Sequence, residues 1–175
     1  MDLAILNFIQ EHIANPVLNA IMPFFSAIGE FGTVWIVASI LMICSKKYRK
    51  YGIMALLAMT IGLLIGEVAI KNIVCRDRPC VAYPIDNMIV SIPHSYSFPS
   101  GHTCSSLASA TIIFIANKKW GIVAFALALL IAFSRLYNYV HYPTDVLAGA
   151  VLGVLSALTA YFVVEKINKS KGLKL

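Results

Sequence analysis

Three short polar stretches interrupt an otherwise apolar chain of 175 residues: "KNIVCRDRP" at 71–79, "FPSGH" at 98–102 and "SRLYNYVHYPTD" at 134–145. Between them they hold Lys71, Arg78 and Arg135, the histidines His102 and His141, and Asp145. Cations of these types suit an anion with several oxygens. Arginine offers a planar fork matched to phosphate oxygens, and lysine a compact point charge. A phosphoryl group in transfer spreads charge over its equatorial oxygens, so positioned cations supply most of what the transfer needs. In "SGH", Ser100 and Gly101 stand at the start of an apolar run. A helix beginning there would turn free amides and the positive end of its dipole toward the same charge, with the Ser100 hydroxyl as a further donor. Asp145 follows His141 by one helical turn if Pro143 opens a helix. It can then accept a hydrogen bond from one ring N–H and fix the tautomer.

The elements that must position these groups follow from composition. The chain is 59% hydrophobic and 13% charged, with a mean hydropathy of +0.81, too apolar for a soluble domain of this length. Apolar runs at about 32–45, 51–73, 101–117, 120–138 and 144–164 lie near the ~20 residues a spanning helix needs. The expectation is an all-α, polytopic membrane helix bundle of about five spans in one domain: a catalytic core at 31–165, a basic tail at 166–175 and an N-terminal segment at 1–30. In that first segment Asn7, Glu11 and Asn15 form a polar row and Ile5, Ile9 and Ile13 an apolar one, as in a helix lying in the membrane interface, until Pro16 and Pro23 redirect the chain. A sixth, kinked span is the alternative. No basic, apolar and small-residue succession at the start marks a removable signal peptide.

Ten of the fourteen Lys and Arg residues fall in three places: Lys46, Lys47, Arg49 and Lys50; Lys118 and Lys119; and Lys166, Lys169, Lys171 and Lys174. Five spans put all three on one side, which the positive-inside rule makes the cytoplasm, together with the C-terminus. Lys71, Arg76, Arg78 and Arg135 fall on the opposite, extracytoplasmic face, against the bias. Ionisable groups at the rim of a membrane bundle are costly and mark a functional site. The net charge of +6 comes mainly from the cytoplasmic loops and tail, which speaks for topology and anionic lipid rather than nucleic acid.

Lys71, six residues, then Arg78-Pro79; "PSGH" at 99–102; and Ser134-Arg135, five residues, His141, three residues, Asp145 resemble the three-part signature of the type 2 phosphatidic acid phosphatases. That superfamily also includes bacterial acid phosphatases, glucose-6-phosphatase and vanadium haloperoxidases. The defining positions show no departure, and the motifs cover 71–145; residues 1–30 lie outside the resemblance. It implies a membrane phosphatase in which His141 attacks phosphorus to form a phosphohistidine, Asp145 orients its ring, and His102 protonates the leaving oxygen and later takes a proton from water. Lys71, Arg78, Ser100, Gly101 and Arg135 would bind the phosphate. No metal or other cofactor is needed, and the sequence offers no obvious metal cage. A pocket at the membrane boundary favours a lipid substrate, such as phosphatidate, phosphatidylglycerophosphate or undecaprenyl diphosphate.

Singly, each feature has a plainer reading: a snorkelling cation, a structural His–Asp bond or half of a metal site, a turn before a helix. Those readings must hold at all three stretches together to replace the catalytic one. A lipid phosphotransferase with the same phosphohistidine, and a non-catalytic phospholipid binding or transport protein, are the alternatives; a vanadate-dependent peroxidase is disfavoured by the membrane setting. Glu67, one turn before Lys71, is expected as its structural partner. Arg76 and Asp77 sit at non-defining positions, and His94 and Tyr96 lie in the outer loop. Tyr137, Tyr139 and Tyr142 read as interfacial aromatics. Cys75 and Cys80 bracket "RDRP" where a disulfide is redox-permitted, and spacing leaves free thiols equally open.

Overall fold

The computed structural model describes residues 1–86 and 88–171; Lys174 and the end of the tail lie outside the described residues. Regular structure within them is entirely helical. Helix α1 (Asp2–Phe8) continues through a π turn at Ile9–Ile13. Asn15 then caps α2 (Pro16–Ile28) by accepting from Val17 N and Leu18 N at 3.0 Å, with Pro16 at the first helical position, where its missing N–H costs nothing. Next come α3 (Thr33–Cys44) and α4 (Arg49–Leu63), the latter prolonged by a π segment (Leu64–Ile70) and a last turn (Lys71–Val74). A short α5 (Pro79–Ala82), α6 (Gly101–Ala116), α7 (Lys118–Tyr137) and α8 (Pro143–Lys171) complete the chain.

The expected membrane bundle forms, and each of the five apolar runs is helical. Length and composition refine their reach. The Arg49–Ala82 stretch, α7 and α8 are each long and apolar enough to cross a membrane. Helix α3, with 12 residues, is about 18 Å long against a hydrocarbon core of about 30 Å. It passes only together with α2, to which it is joined across a 48° bend. There Phe31 (φ 50°) and Gly32 (φ 69°) adopt left-handed backbone, and glycine carries that at little cost.

Helix α6 is the hub. Its Ala108 and Ile112 pack with Met54, Ala55, Ala58, Ala157 and Ala160 of α4 and α8, while Leu107 and Ala110 on its other side meet Trp35, Ala128 and Ile131 of α3 and α7. Gly149 and Gly153 let α8 approach α6 so closely that a Cβ on Gly149 would stand 2.5 Å from Ser100 O, a small-xxx-small contact of the membrane type. Outward faces are apolar, with Leu147, Val151, Leu155 and Phe162 on α8 and Ile122 and Leu129 on α7 exposed. That inversion of the soluble pattern is what lipid contact requires.

The two ends of the bundle differ. Lys50 pairs with Glu165 at 2.7 Å and Asn117 reaches Tyr48 at 3.4 Å at the basic end; the three polar motifs share the other. Residues 1–13 are docked across that motif end, with Leu3, Leu6 and Ile9 packed on the end of α7 and the start of α8. Leu6 and Ile9 are buried while Ile5 is exposed, so the packed row is displaced from the one read from the sequence. Tyr137, Tyr139 and Tyr142, read from the sequence as interfacial aromatics, are all buried within the protein, packed in part against this N-terminal segment. All four cysteines, Cys75 and Cys80 among them, are free thiols.

Candidate active site

Local structure explains how each motif is presented. Cys75 takes a left-handed conformation (φ 46°) that ends α4 and turns "RDRP" away from the helix line. Ser100 caps α6, its hydroxyl accepting from Thr103 N at 3.4 Å and Thr103 Oγ1 at 3.0 Å. Helix α7 closes in a Schellman turn. Tyr139 sits left-handed (φ 57°), with Tyr139 N bonded to Leu136 O at 3.0 Å and Val140 N to Arg135 O at 3.2 Å, so the chain reverses immediately before His141. Pro143 opens α8, and Asp145 reaches back to accept from Tyr142 N at 2.8 Å. Ser100 N donates to Asp145 O at 3.0 Å, which ties the second motif to the third.

Lys71, Arg78, Gly101, His102, Arg135 and His141 line one cavity of about 1050 Å³. Its polar part holds those residues with Glu30 and Glu67. Its apolar limb runs between α3 and α4, past Ile36, Leu56, Met59 and Leu63. Arg78 is fixed by the outer loop and the Schellman turn: Nε donates to Ser95 O at 2.7 Å, Nη1 to Val140 O at 2.8 Å, and Nη2 to Ser95 Oγ at 3.0 Å and Tyr96 O at 3.3 Å. Nη1 also stands 3.1 Å from His141 Nε2. A guanidinium only donates, so this contact needs an unprotonated Nε2 and places the ring proton on Nδ1. Nδ1 faces Asp145 Oδ2 and Ser97 Oγ, each at 3.5 Å. Burial holds the His141 imidazole well below its ordinary pKa, and Arg78 and Arg135 push the same way against the pull of Asp145.

Lys71 Nζ pairs with both oxygens of Glu67, at 2.7 and 2.8 Å, as its i, i+4 spacing foretold. Arg135 donates to Ser26 of α2 through Nη1, while its buried Nε has no hydrogen-bond partner among the described residues. His102 Nε2 lies 3.4 Å from Glu30 Oε2, longer than a good hydrogen bond. His94 stands on the cavity wall, and Tyr96 contributes its carbonyl to Arg78. Ser100 is buried beside the cavity instead of on its wall, with its hydroxyl engaged in the α6 cap.

Several participants escaped sequence reading. Arg76, ranked low, binds Asp145 Oδ1 through Nη1 at 2.7 Å. Ser97 donates to Asp145 Oδ2. Ser26 and Glu30 come from the N-terminal segment. A lone carboxylate in the apolar "SAIGEFGT" was the available signal for Glu30; nothing in the sequence singled out Ser26 or Ser97.

Comparison at the level of families matches residues 51–169 to the PAP2 superfamily. This chain belongs to that superfamily. Among PAP2 relatives, the undecaprenyl-diphosphatase of Sulfolobus acidocaldarius is 34% identical over 137 residues, covering 78% of this chain and 66% of that protein, just under two thirds of its length. The crystal structure of the PAP2-type phosphatidylglycerolphosphate phosphatase from Bacillus subtilis is similar with a TM-score of 0.68 and 31% identity, over 89% of this chain and 80% of that one. Aquifex aeolicus LpxE gives a TM-score of 0.82 over 91% of this chain and 94% of its own, with 24% identity, a likeness of fold. The PAP2 match begins at Tyr51, so Asp2, Ser26 and Glu30 lie outside it.

Proposed function

We propose that this PAP2 protein hydrolyses a phosphate or diphosphate monoester on a membrane lipid through a phosphohistidine at His141. The observation that carries the reading is the orientation of that ring. Its Nε2 is turned to Arg78 on the wall of a cavity lined by three cations, and its Nδ1 is turned to Ser97 and Asp145. When the phosphate takes over the Arg78 Nη1 donor, the freed Nε2 lone pair attacks phosphorus while the bond to the leaving oxygen breaks, and His102 delivers a proton to that oxygen. Water then attacks phosphorus, gives a proton to His102, and frees inorganic phosphate as the P–N bond breaks. Lys71, Arg78 and Arg135 hold the phosphoryl oxygens, joined by the amides of Gly101 and His102 at the α6 N-terminus. Ser100 shapes that N-terminus as its cap.

The apolar limb between α3 and α4 suits a lipid tail. Kinship with an undecaprenyl-diphosphatase at 34% identity favours a polyprenyl diphosphate over phosphatidate or phosphatidylglycerophosphate. The whole chain acts as one membrane domain. A cytoplasmic C-terminus and an extracytoplasmic site are part of the same reading, supported by the segregation of Lys46, Lys47, Lys118, Lys119 and Lys166 to the end opposite the site. The test is phosphate release by detergent-purified protein, with EDTA present, from the three lipids, each against His141→Ala. Release that persists in EDTA and vanishes in the variant is the expected result, and the order of rates names the lipid. Equal release by parent and variant would overturn the phosphohistidine.

A further inference from the structure

Arg76 lies inside the first motif, yet it does not line the phosphate cavity. It grips the far side of the His141–Asp145 pair. We infer that Arg76, itself held by Asp2, is a positioning residue for that pair, so that the second residue of the chain belongs to the catalytic apparatus; the inference rests on the reading of His141 as nucleophile.

The Asp145 carboxylate is wholly buried, and a buried charge must have its lone pairs met. Oδ2 accepts from Tyr142 N and Ser97 Oγ and faces His141 Nδ1. Oδ1 takes Arg76 Nη1 at 2.7 Å. Without Arg76 the carboxylate loses its only salt-bridging arginine among the described residues and is free to turn its oxygens, which releases the ring. Arg76 in turn cannot swing away. Its guanidinium lies 3.8 Å over the Tyr142 ring, Nη1 donates to Thr144 Oγ1 at 2.7 Å, and Nη2 meets Asp2 Oδ2 at 2.8 Å. Thr144 closes the ring of contacts by donating to Asp2 Oδ2 at 2.6 Å. Helix α1 is fastened there by Leu6 and Leu3, packed against Tyr139, Val140 and Tyr142.

This arrangement makes a signed prediction. The groups facing the pair are Arg78 and Arg135 on the cavity side and Arg76, Asp2 and Tyr142 on the other, with Lys71, Glu67, Glu30 and His102 farther along the cavity. Removing the Arg76 charge makes the surroundings of His141 more negative and eases its protonation. Removing the Asp2 charge does the opposite.

The experiment compares Arg76→Gln, Arg76→Lys and Asp2→Asn with the parent, by kcat, KM and pH dependence of phosphate release from a polyprenyl diphosphate. In parallel, the 15N imidazole resonances of His141 are titrated, a readout that needs no turnover. Arg76→Gln is expected to lower kcat by roughly tenfold to a hundredfold, with KM changed by less than about threefold, because the ring is misplaced while the phosphate cavity stays intact. The acid limb of its profile and its His141 titration should rise by about half a pH unit; in Asp2→Asn they should fall. Arg76→Lys keeps the charge and should keep the parent's pH profile while losing part of kcat. Unchanged kcat and an unchanged His141 titration in Arg76→Gln would overturn the inference, as would shifts of the same sign in Arg76→Gln and Asp2→Asn. A parent that releases no phosphate would count against the nucleophile reading, and the titration would still decide the coupling.

Discussion

Replacing Arg78 by lysine separates charge from geometry at the centre of the site. The guanidinium makes five polar contacts: with Ser95 O, Val140 O, His141 Nε2, Ser95 Oγ and Tyr96 O. One ammonium nitrogen has three protons and can meet at most three of them. At least two bonds to a charged donor are therefore lost, each contributing about 1.5–3 kcal/mol, and Val140 O and Ser95 O compete for what remains. These bonds hold the fork in the resting protein, so their loss acts on the rate through misplacement of the fork and of His141, for which roughly two decades in kcat/KM, or about 3 kcal/mol, are expected. Phosphate release from the best lipid substrate gives the rate, and thermal unfolding in detergent shows whether the bundle survives. A variant that folds and keeps kcat/KM within about threefold of the parent, a difference of only ~0.7 kcal/mol, would refute the view that the fork itself places His141.

Other outcomes follow from the same geometry. Glu30→Gln removes the carboxylate beside His102 and should slow lipid turnover by about tenfold, but spare an aryl phosphate, whose leaving group needs no proton; equal losses on both would detach Glu30 from the acid. Because His141 is held neutral by burial, activity should persist as the pH falls below about 6.5, where a free imidazole would protonate, and fail only at lower pH in kcat/KM profiles. The same shift sets a stability trend. The unfolded chain binds a proton that the folded one refuses, so stability is intact above about pH 6.5 and falls as pH drops through that window, less so in His141→Asn, measured by thermal inactivation against pH. Gly149→Val forces α8 off α6 at the Ser100 carbonyl and should cost about 1–3 kcal/mol along with activity, whereas Leu147→Ala on the lipid face should leave activity near that of the parent.

Much of this was legible in the linear order. Apolar runs near the length of a bilayer set the helices, since backbone polar groups in lipid must be satisfied within each segment. The i, i+4 spacings put Glu67 on Lys71 and Asp145 below His141, because one helical turn is fixed by covalent geometry. The charge bias between loops sorted Lys46 and Lys118 from Arg78 and Arg135, and parity of the helices then brought His102 and His141 to one end. What the sequence left out was the part played by residues 1–30. Their polar and apolar rows fit an interfacial helix equally well, because amphipathicity reports that a face is buried without saying against what. Only the folded chain showed that Leu6 and Ile9 bury against the Schellman turn of α7, that Ser26 takes Arg135, and that Glu30 faces His102. Arg76 is the sharpest case. Its type and position allowed a snorkelling cation, a headgroup contact or an ion pair, and the choice fell to Asp2 and Asp145, which are separated by nearly the whole chain and meet only because α1 folds back over the start of α8.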